Sequence, residues 1–291
     1  MSVSSRLIER LFVLWGTAKP LSAKELYRKM RRNAIRRIGG RWFLPHFGVK
    51  TERSVYCGMP YFTFFPKEVD TSKSVMYIHG SAYMNAPRAA QISFAAEIAR
   101  KTHAKVYFPL YPKLPNASIL PCFALLNNFF VFLQKQGDVM LLGDSSGGTL
   151  ALALAATRKE ARSAIAISPW ISLSVCEEGR AVRTDVMLSV ETLDRVARLW
   201  AGDLPFDDVR LSPSQGTFKG KTLLLTCGEK ELLRADILRF CREQIERGAT
   251  VTYLEGAEQQ HCYPLLPTAE GRAAREEIVR RLQATIYGDN V

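Results

Sequence analysis

Six short, almost unbroken apolar runs alternate with stretches of helical periodicity: Val75 to Ile78, Lys105 to Leu110, Val139 to Leu142, Ala164 to Ile167, Thr222 to Thr226 and Val251 to Leu254. A strand with one wet face alternates apolar and polar residues, so runs without that alternation predict strands covered on both sides. Joined by helices, they predict a mostly parallel sheet with helices on both faces, an α/β architecture. Ahead of them, Ser54 to Cys57 and Tyr61 to Phe65 flank Gly58-Met59-Pro60 and read as a hairpin. From about 170 to 215 no strand is predicted and Leu193 to Trp200 is helical. That interval is expected to be an insertion over the C-terminal edge of the sheet, where open α/β folds build their sites.

A chain of 291 residues can bury a full core without disulfide or metal staples, and 47% hydrophobic with 23% charged residues excludes a disordered or fibrous chain. Its best apolar run, Cys122 to Leu133, is interrupted by Asn127 and Asn128 and falls short of a membrane span. No signal peptide is read in the first 20 residues, because Glu9 sits inside the apolar stretch. The six cysteines form neither a CxxC pair nor a spacing shared with histidines, so no metal and no other cofactor are expected and a reduced, cytoplasmic protein is.

Of the net charge of +12, residues 1–53 carry +10. Ser22 and Glu25 form a capping box, after which Leu26, Tyr27, Met30, Ile35 and Ile38 recur at helical spacing among Arg28, Lys29, Arg31, Arg32, Arg36 and Arg37. An earlier helix, with Leu7, Ile8, Leu11, Phe12 and Trp15 on one side, precedes Lys19-Pro20. The two are expected to act as a basic helical cap on a core made of residues 54–169 and 216–291, with 170–215 completing the cap. A basic lobe of this kind suits a solvated face or contact with an anionic membrane. No reader module accompanies the charge, so nucleic acid is not expected. The sequence leaves open whether the chain forms a homodimer.

Val139 to Gly148 is a strand running into Gly143-Asp144-Ser145-Ser146-Gly147 and then into a helix. A sharp strand-to-helix elbow needs glycine on both sides of a strained, exposed serine, which makes Ser145 the candidate nucleophile. A serine hydroxyl reacts only when a base takes its proton and an acid orients that base. Of the four histidines, His46 and His103 are expected at the surface and His79 ends the first strand of the alternating region. His261 follows the last strand, where the order serine, acid, base puts the general base. The acid belongs after Thr222 to Thr226, where Glu229, Glu231 and Asp236 are all eligible by position. Oxyanion donors are expected from the amide of Ser146 and from the loop His79-Gly80-Ser81-Ala82-Tyr83.

Taken together, these residues resemble the hormone-sensitive-lipase-like esterase group of the α/β-hydrolases, the bacterial family IV carboxylesterases, over about residues 54 to 285. Gly143-Asp-Ser-Ser-Gly-Gly148 is similar to that family's GDSAGG, and His79-Gly-Ser-Ala82 to its HGGG. Ser168-Pro-Trp170, Asp185-Val-Met-Leu188, Leu211-Ser-Pro213 and His261-Cys-Tyr-Pro-Leu265 extend the likeness. Gly228-Glu-Lys-Glu-Leu-Leu-Arg234 resembles GEYDPLR, and by that resemblance Glu231 takes the acid's place, with Asp236 the alternative. The resemblance implies an α/β-hydrolase fold with an eight-stranded sheet and a helical cap. It also implies a serine carboxylesterase acting on small-molecule esters of short to medium acyl length, with Ser145, His261 and Glu231 as triad and the amides of Ser81, Ala82 and Ser146 as oxyanion hole.

Two departures bear on the site. Ser81 and Ala82 stand where the family has glycine, so a Cβ there costs about 1 kcal/mol if φ is positive and crowds the acyl pocket. Gln259-Gln260 precede the histidine where a shorter approach is usual. Two other readings compete: a non-catalytic binding homologue, as in plant gibberellin receptors that lost the base, and an interfacial lipase or phospholipase recruited by the basic cap.

Overall fold

The computed structural model describes residues 1–39, 48–69 and 72–288. The strands β1 (Lys50–Tyr56) and β2 (Met59–Phe65) form the expected hairpin. Its turn is tighter than the sequence suggested: Cys57 and Gly58 alone make it, at φ 47° and 80°, and Met59 and Pro60 already pair with Tyr56 and Val55. Two consecutive left-handed residues give a two-residue turn whose twist matches that of the strands.

Six further strands follow, each at its expected run: β3 (Ser74–Ile78), β4 (Lys105–Pro109), β5 (Val139–Asp144), β6 (Ser163–Ile167), β7 (Thr222–Gly228) and β8 (Thr250–Gly256). They join the hairpin in one eight-stranded sheet of order β1-β2-β4-β3-β5-β6-β7-β8. Pairing is antiparallel for β1–β2 and β2–β4 and parallel elsewhere. From β3 the chain moves to β4 on one side and then to β5 on the other, so the order reverses at β3 and opens a crevice beyond the carboxyl ends of β3 and β5.

The unbroken apolar runs have a simple cause. Val75 and Tyr77 of β3 pack with Ile92, Phe94 and Ile98 of α3 (Ala89–Thr102) and Ile278 and Leu282 of α9 (Ala269–Tyr287). Met76 and Ile78, on the opposite face, pack in a second core with α4 (Ile119–Gln134), α5 (Ser146–Thr157) and α8 (Arg234–Glu246). Both positions of the pleat are therefore apolar, and each buried side chain contributes about 1.5–3 kcal/mol.

Four further helices are α1 (Val3–Trp15), α2 (Ala23–Gly39) and α7 (Val190–Ala201), each with a residue lining the cavity over the crevice, and α6 (Glu177–Ala181), which packs on α8. Sequence periodicity found α7 but not the five-residue α6, which is too short to show a repeat. α7 buries Leu193, Val196, Ala197 and Trp200. The Trp200 ring stacks on Tyr83 at 4.3 Å and 7°, joining α7 to the loop after β3. α2 starts at the expected Ser22–Glu25 box, with Ser22 N donating to Glu25 Oε2 at 2.8 Å, and buries Leu26 and Met30.

α1 departs from its expected packing. On the side read as apolar, Ile8, Leu11 and Phe12 are half-buried but Leu7 and Trp15 are 59% and 68% exposed; Val3 and Leu14 are exposed as well, and Ser5 is its buried residue. Polar contacts hold it instead: Ser5 Oγ donates to Glu270 Oε2 at 2.8 Å and Lys230 Nζ meets Glu9 Oε2 at 3.0 Å. Between α1 and α2, Thr17 Oγ1 donates to Val186 O and Leu21 N to Thr192 Oγ1 at 3.0 Å. His46 lies outside the described residues, as do the side chains of Ile35 and Ile38. No described helix is long and apolar enough to cross a membrane.

Candidate active site

The loop after β5 turns into α5 within one residue. Ser145 sits at φ 50° and ψ −126°, a conformation that costs a non-glycine residue of the order of 1–3 kcal/mol. Glycine neighbours are obligatory: a Cβ on Gly143 would lie 2.3 Å from Gly147 O, and one on Gly147 would lie 2.0 Å from Ile78 O. The hairpin-tight elbow thus presses α5 against the end of β3 and lifts the serine hydroxyl above both.

His261 Nε2 lies 3.0 Å from Ser145 Oγ, and His261 Nδ1 lies 2.5 Å from Glu231 Oε2. The sequence brings them there through the ends of three parallel strands of one sheet: β5 delivers the serine, the turn after β7 the glutamate, and the loop after β8 the histidine. The second carboxylate oxygen of Glu231 accepts from Gly228 N at 2.8 Å and Ser168 Oγ at 2.9 Å. A fully buried carboxylate is costly unless its lone pairs are met, and these donors meet them. Ser168 itself accepts from Cys262 N at 2.9 Å, so one hydroxyl fixes both the acid and the residue beside the base.

The other two eligible acids are engaged elsewhere. Glu229 Oε2 accepts from Glu258 N at 2.7 Å, and Asp236 Oδ2 accepts from Cys176 N at 3.1 Å at the start of α6. Burial raises the Asp236 carboxyl pKa. Of the remaining histidines, His103 is exposed, as expected, whereas His79 is fully buried under the site. His79 Nε2 lies 2.8 Å from the buried Lys113 Nζ, and Nδ1 lies 3.0 Å from Gly80 O.

The oxyanion loop corrects one expectation. The Ser81 amide, read as an oxyanion donor, donates at 3.0 Å to Ser146 Oγ, which also accepts from Tyr83 N at 3.4 Å. A serine following the nucleophile places an acceptor there that an alanine lacks. The amides of Ala82 and Ser146 meet no acceptor among the described residues. Positive φ falls on Ala82 (46°) and Tyr83 (52°) and not on Ser81. Tyr111 OH donates to His79 O at 2.7 Å and lies 2.9 Å from Ser81 Oγ, closing the loop from below.

Two acids missed by the sequence reading organise this scaffold. Asp144 accepts from Gly80 N and Tyr77 OH, each at 2.9 Å, and from Gln91 Nε2 at 2.7 Å, tying the elbow to the oxyanion loop. Asp185 accepts from Met187 N, Leu188 N and Leu232 N at 2.8, 2.9 and 3.0 Å, fastening the cap next to Glu231. Burial raises the pKa of both carboxyls against these donors. Their signal was in the sequence: an aspartate inside the elbow and another in the Asp185-Val-Met-Leu188 motif.

For His261, burial disfavours the imidazolium, but the Cys262 sulfur and the Glu231 carboxylate beside it outweigh burial and hold its pKa well above the usual histidine value. Above the three residues opens a cavity of about 530 Å³, walled on the cap side by Leu21, Met187, Leu188 and Leu193. No described cluster of three or more histidines, cysteines or carboxylates is arranged to hold a metal. A hydroxyl with a base at 3.0 Å, a carboxylate behind the base and free amides beside it are the parts of nucleophilic acyl transfer.

The profile of the family described as alpha/beta hydrolase fold matches residues 75–265, and the chain belongs to that family. It is 26% identical over 193 residues to an esterase of Acinetobacter venetianus, across 62% of this chain and 63% of that protein. To a triacylglycerol lipase of Mycobacterium tuberculosis it is 25% identical over 229 residues, across 75% of this chain and 48% of the lipase. These matches span less than two thirds of either relative. Among solved structures, an esterase/lipase from an uncultured bacterium superposes with a TM-score of 0.81 at 18% identity, covering 98% of this chain and 100% of the other. A hormone-sensitive lipase from a metagenome library does so with 0.81 at 17%, covering 98% and 99%. At these identities the structural likeness concerns the fold.

Proposed function

We propose that the protein is a serine carboxylesterase that hydrolyses short to medium acyl esters through an acyl-enzyme. The observation that carries the reading is the continuous relay of Ser145 Oγ, His261 and Glu231 at 3.0 and 2.5 Å over a cavity with a walled apolar side. In this reading Ser145 attacks the ester carbonyl while His261 Nε2 takes its proton, and the amides of Ala82 and Ser146 receive the developing oxyanion. His261 returns the proton to the departing alcohol, then takes one from the water that releases the acid. Glu231 keeps the imidazole in the tautomer with hydrogen on Nδ1 and stabilises the imidazolium. The names of the curated relatives, an esterase and a triacylglycerol lipase, support the same class. The intact relay favours catalysis over a binding protein that lacks a working base. Initial rates on p-nitrophenyl acetate, butyrate, octanoate and palmitate, with fluorophosphonate labelling, test it. Turnover and labelling that both vanish in Ser145→Ala are expected; a folded wild type that does neither overturns it.

One observation favours an additional setting, an anionic lipid surface. The exposed Val3, Leu7, Leu14 and Trp15 on α1 lie in sequence among Arg6, Arg10 and Lys19, a combination that inserts and attracts at once. Co-sedimentation with vesicles containing an anionic lipid, against neutral vesicles, tests it; equal pelleting with both removes it.

A further inference from the structure

The cavity over Ser145 carries positive charge that hydrolysis of a neutral ester does not use. Lys19, Lys29 and Arg88 line it together with Ser145 and His261. Among the described residues, none of these three side chains makes an ion pair or hydrogen bond. The one carboxylate among the described lining residues, Asp144, has both oxygens taken by Gly80 N, Tyr77 OH and Gln91 Nε2. Glu25, close enough to feel Lys19, is turned to the amide and hydroxyl of Ser22.

Lys29 is half-buried, and burial, then Arg88 and Arg32, push its pKa down. Lys19 and Arg88 stand exposed beside it, and neighbouring cations on one wall repel unless a counter-charge sits among them. Arg88 is also the N-cap of α3, a 14-residue helix in which Gln91 Oε1 accepts from Arg88 N at 2.7 Å and whose Ala90 lines the same cavity. The positive end of a helix dipole thus adds to the two side chains.

We propose that the preferred ester carries an anionic group, of which a carboxylate is the simplest, held by Lys29 and Arg88 with Lys19 adding attraction. The proposal rests on the esterase reading and names its substrate class.

The test compares kcat/KM for mono-p-nitrophenyl adipate against p-nitrophenyl hexanoate, and for 4-acetoxybenzoate against its methyl ester. The first pair places the charge on the acyl side and the second on the alcohol side. A preference of at least about tenfold for the charged member of one pair is expected, the size of one charge-assisted contact. It should shrink in about 0.5 M NaCl and fall toward unity in Lys29→Met and Arg88→Met. Lys29→Arg should keep much of it, as should Lys159→Met, which removes an exposed lysine outside the cavity. Turnover of the neutral esters with no preference in either pair overturns the proposal and leaves the esterase intact. Calorimetric titration with adipate reads the anion site without catalysis: binding lost in Lys29→Met supports it, and no binding by the wild type overturns it.

Discussion

Ser146 Oγ stands 3.0 Å from Ser81 N, so the residue after Ser145 uses its side chain to hold the very loop that faces its own amide. Ser146→Ala leaves the buried amides of Ser81 and Tyr83 without that acceptor. Chemical denaturation should read a loss of about 1–3 kcal/mol, the penalty of a buried donor left unpaired. An unchanged midpoint would mean that the loop shifts to satisfy itself.

Glu231 and Asp236 should separate cleanly. Glu231→Gln keeps the shape but removes the charge behind His261, and kcat is expected to fall by about 10³- to 10⁴-fold. Asp236→Asn removes a carboxylate bonded to Cys176 N, so its effect should appear in thermal melting and not in kcat. Crippled turnover in Asp236→Asn with mild effects in Glu231→Gln would reverse the assignment of the acid.

The pH profile follows from the same pair. In the proposed mechanism the base is neutral His261, whose folded-state pKa is raised, so kcat/KM should rise with pH and its acid limb should have a midpoint above the ordinary histidine value of 6.5. In Glu231→Gln one of the groups favouring the imidazolium is gone, so the residual rate should show that limb at lower pH. A limb at the same pH in both proteins would detach the raised pKa from Glu231.

Ala82 pays for its left-handed backbone. Ala82→Gly should be neutral or stabilising by up to about 1 kcal/mol, since relief of strain is offset in part by the freer unfolded chain. Ala82→Val, β-branched at φ 46°, should lose more than about 2 kcal/mol. Urea unfolding of both variants checks the pair.

Much of this was legible in advance because the strands are covered on both faces. Val75 and Met76 point to opposite cores, and that shows in one dimension as an apolar run. Glycine at 143 and 147 marked the elbow because only backbone fits within about van der Waals reach there. The acid was not legible from position, since Glu229, Glu231 and Asp236 fall within eight residues of chain and only the fold of the loop decides which carboxylate turns inward. Nor was the outward face of α1, whose amphipathic pattern says that one side is apolar but not that a partner covers it. The Ser81 amide was misread because backbone donors carry no residue identity, and its acceptor was a side chain one position past the nucleophile.

The attachment of α1 also bears on where the molecule comes apart first. Glu9, Ser5 and Thr17 tie it down by polar contacts at Lys230, Glu270 and Val186, while Val3, Leu7, Val13, Leu14 and Trp15 stay largely exposed. Such an element opens at a free-energy cost far below that of the sheet. The cavity would then lose its Trp15 wall while the relay of Ser145, His261 and Glu231 stays assembled on strand ends. Heat or moderate salt should therefore alter which esters are accepted before it abolishes hydrolysis, making selectivity the perishable property of this protein and reactivity the durable one.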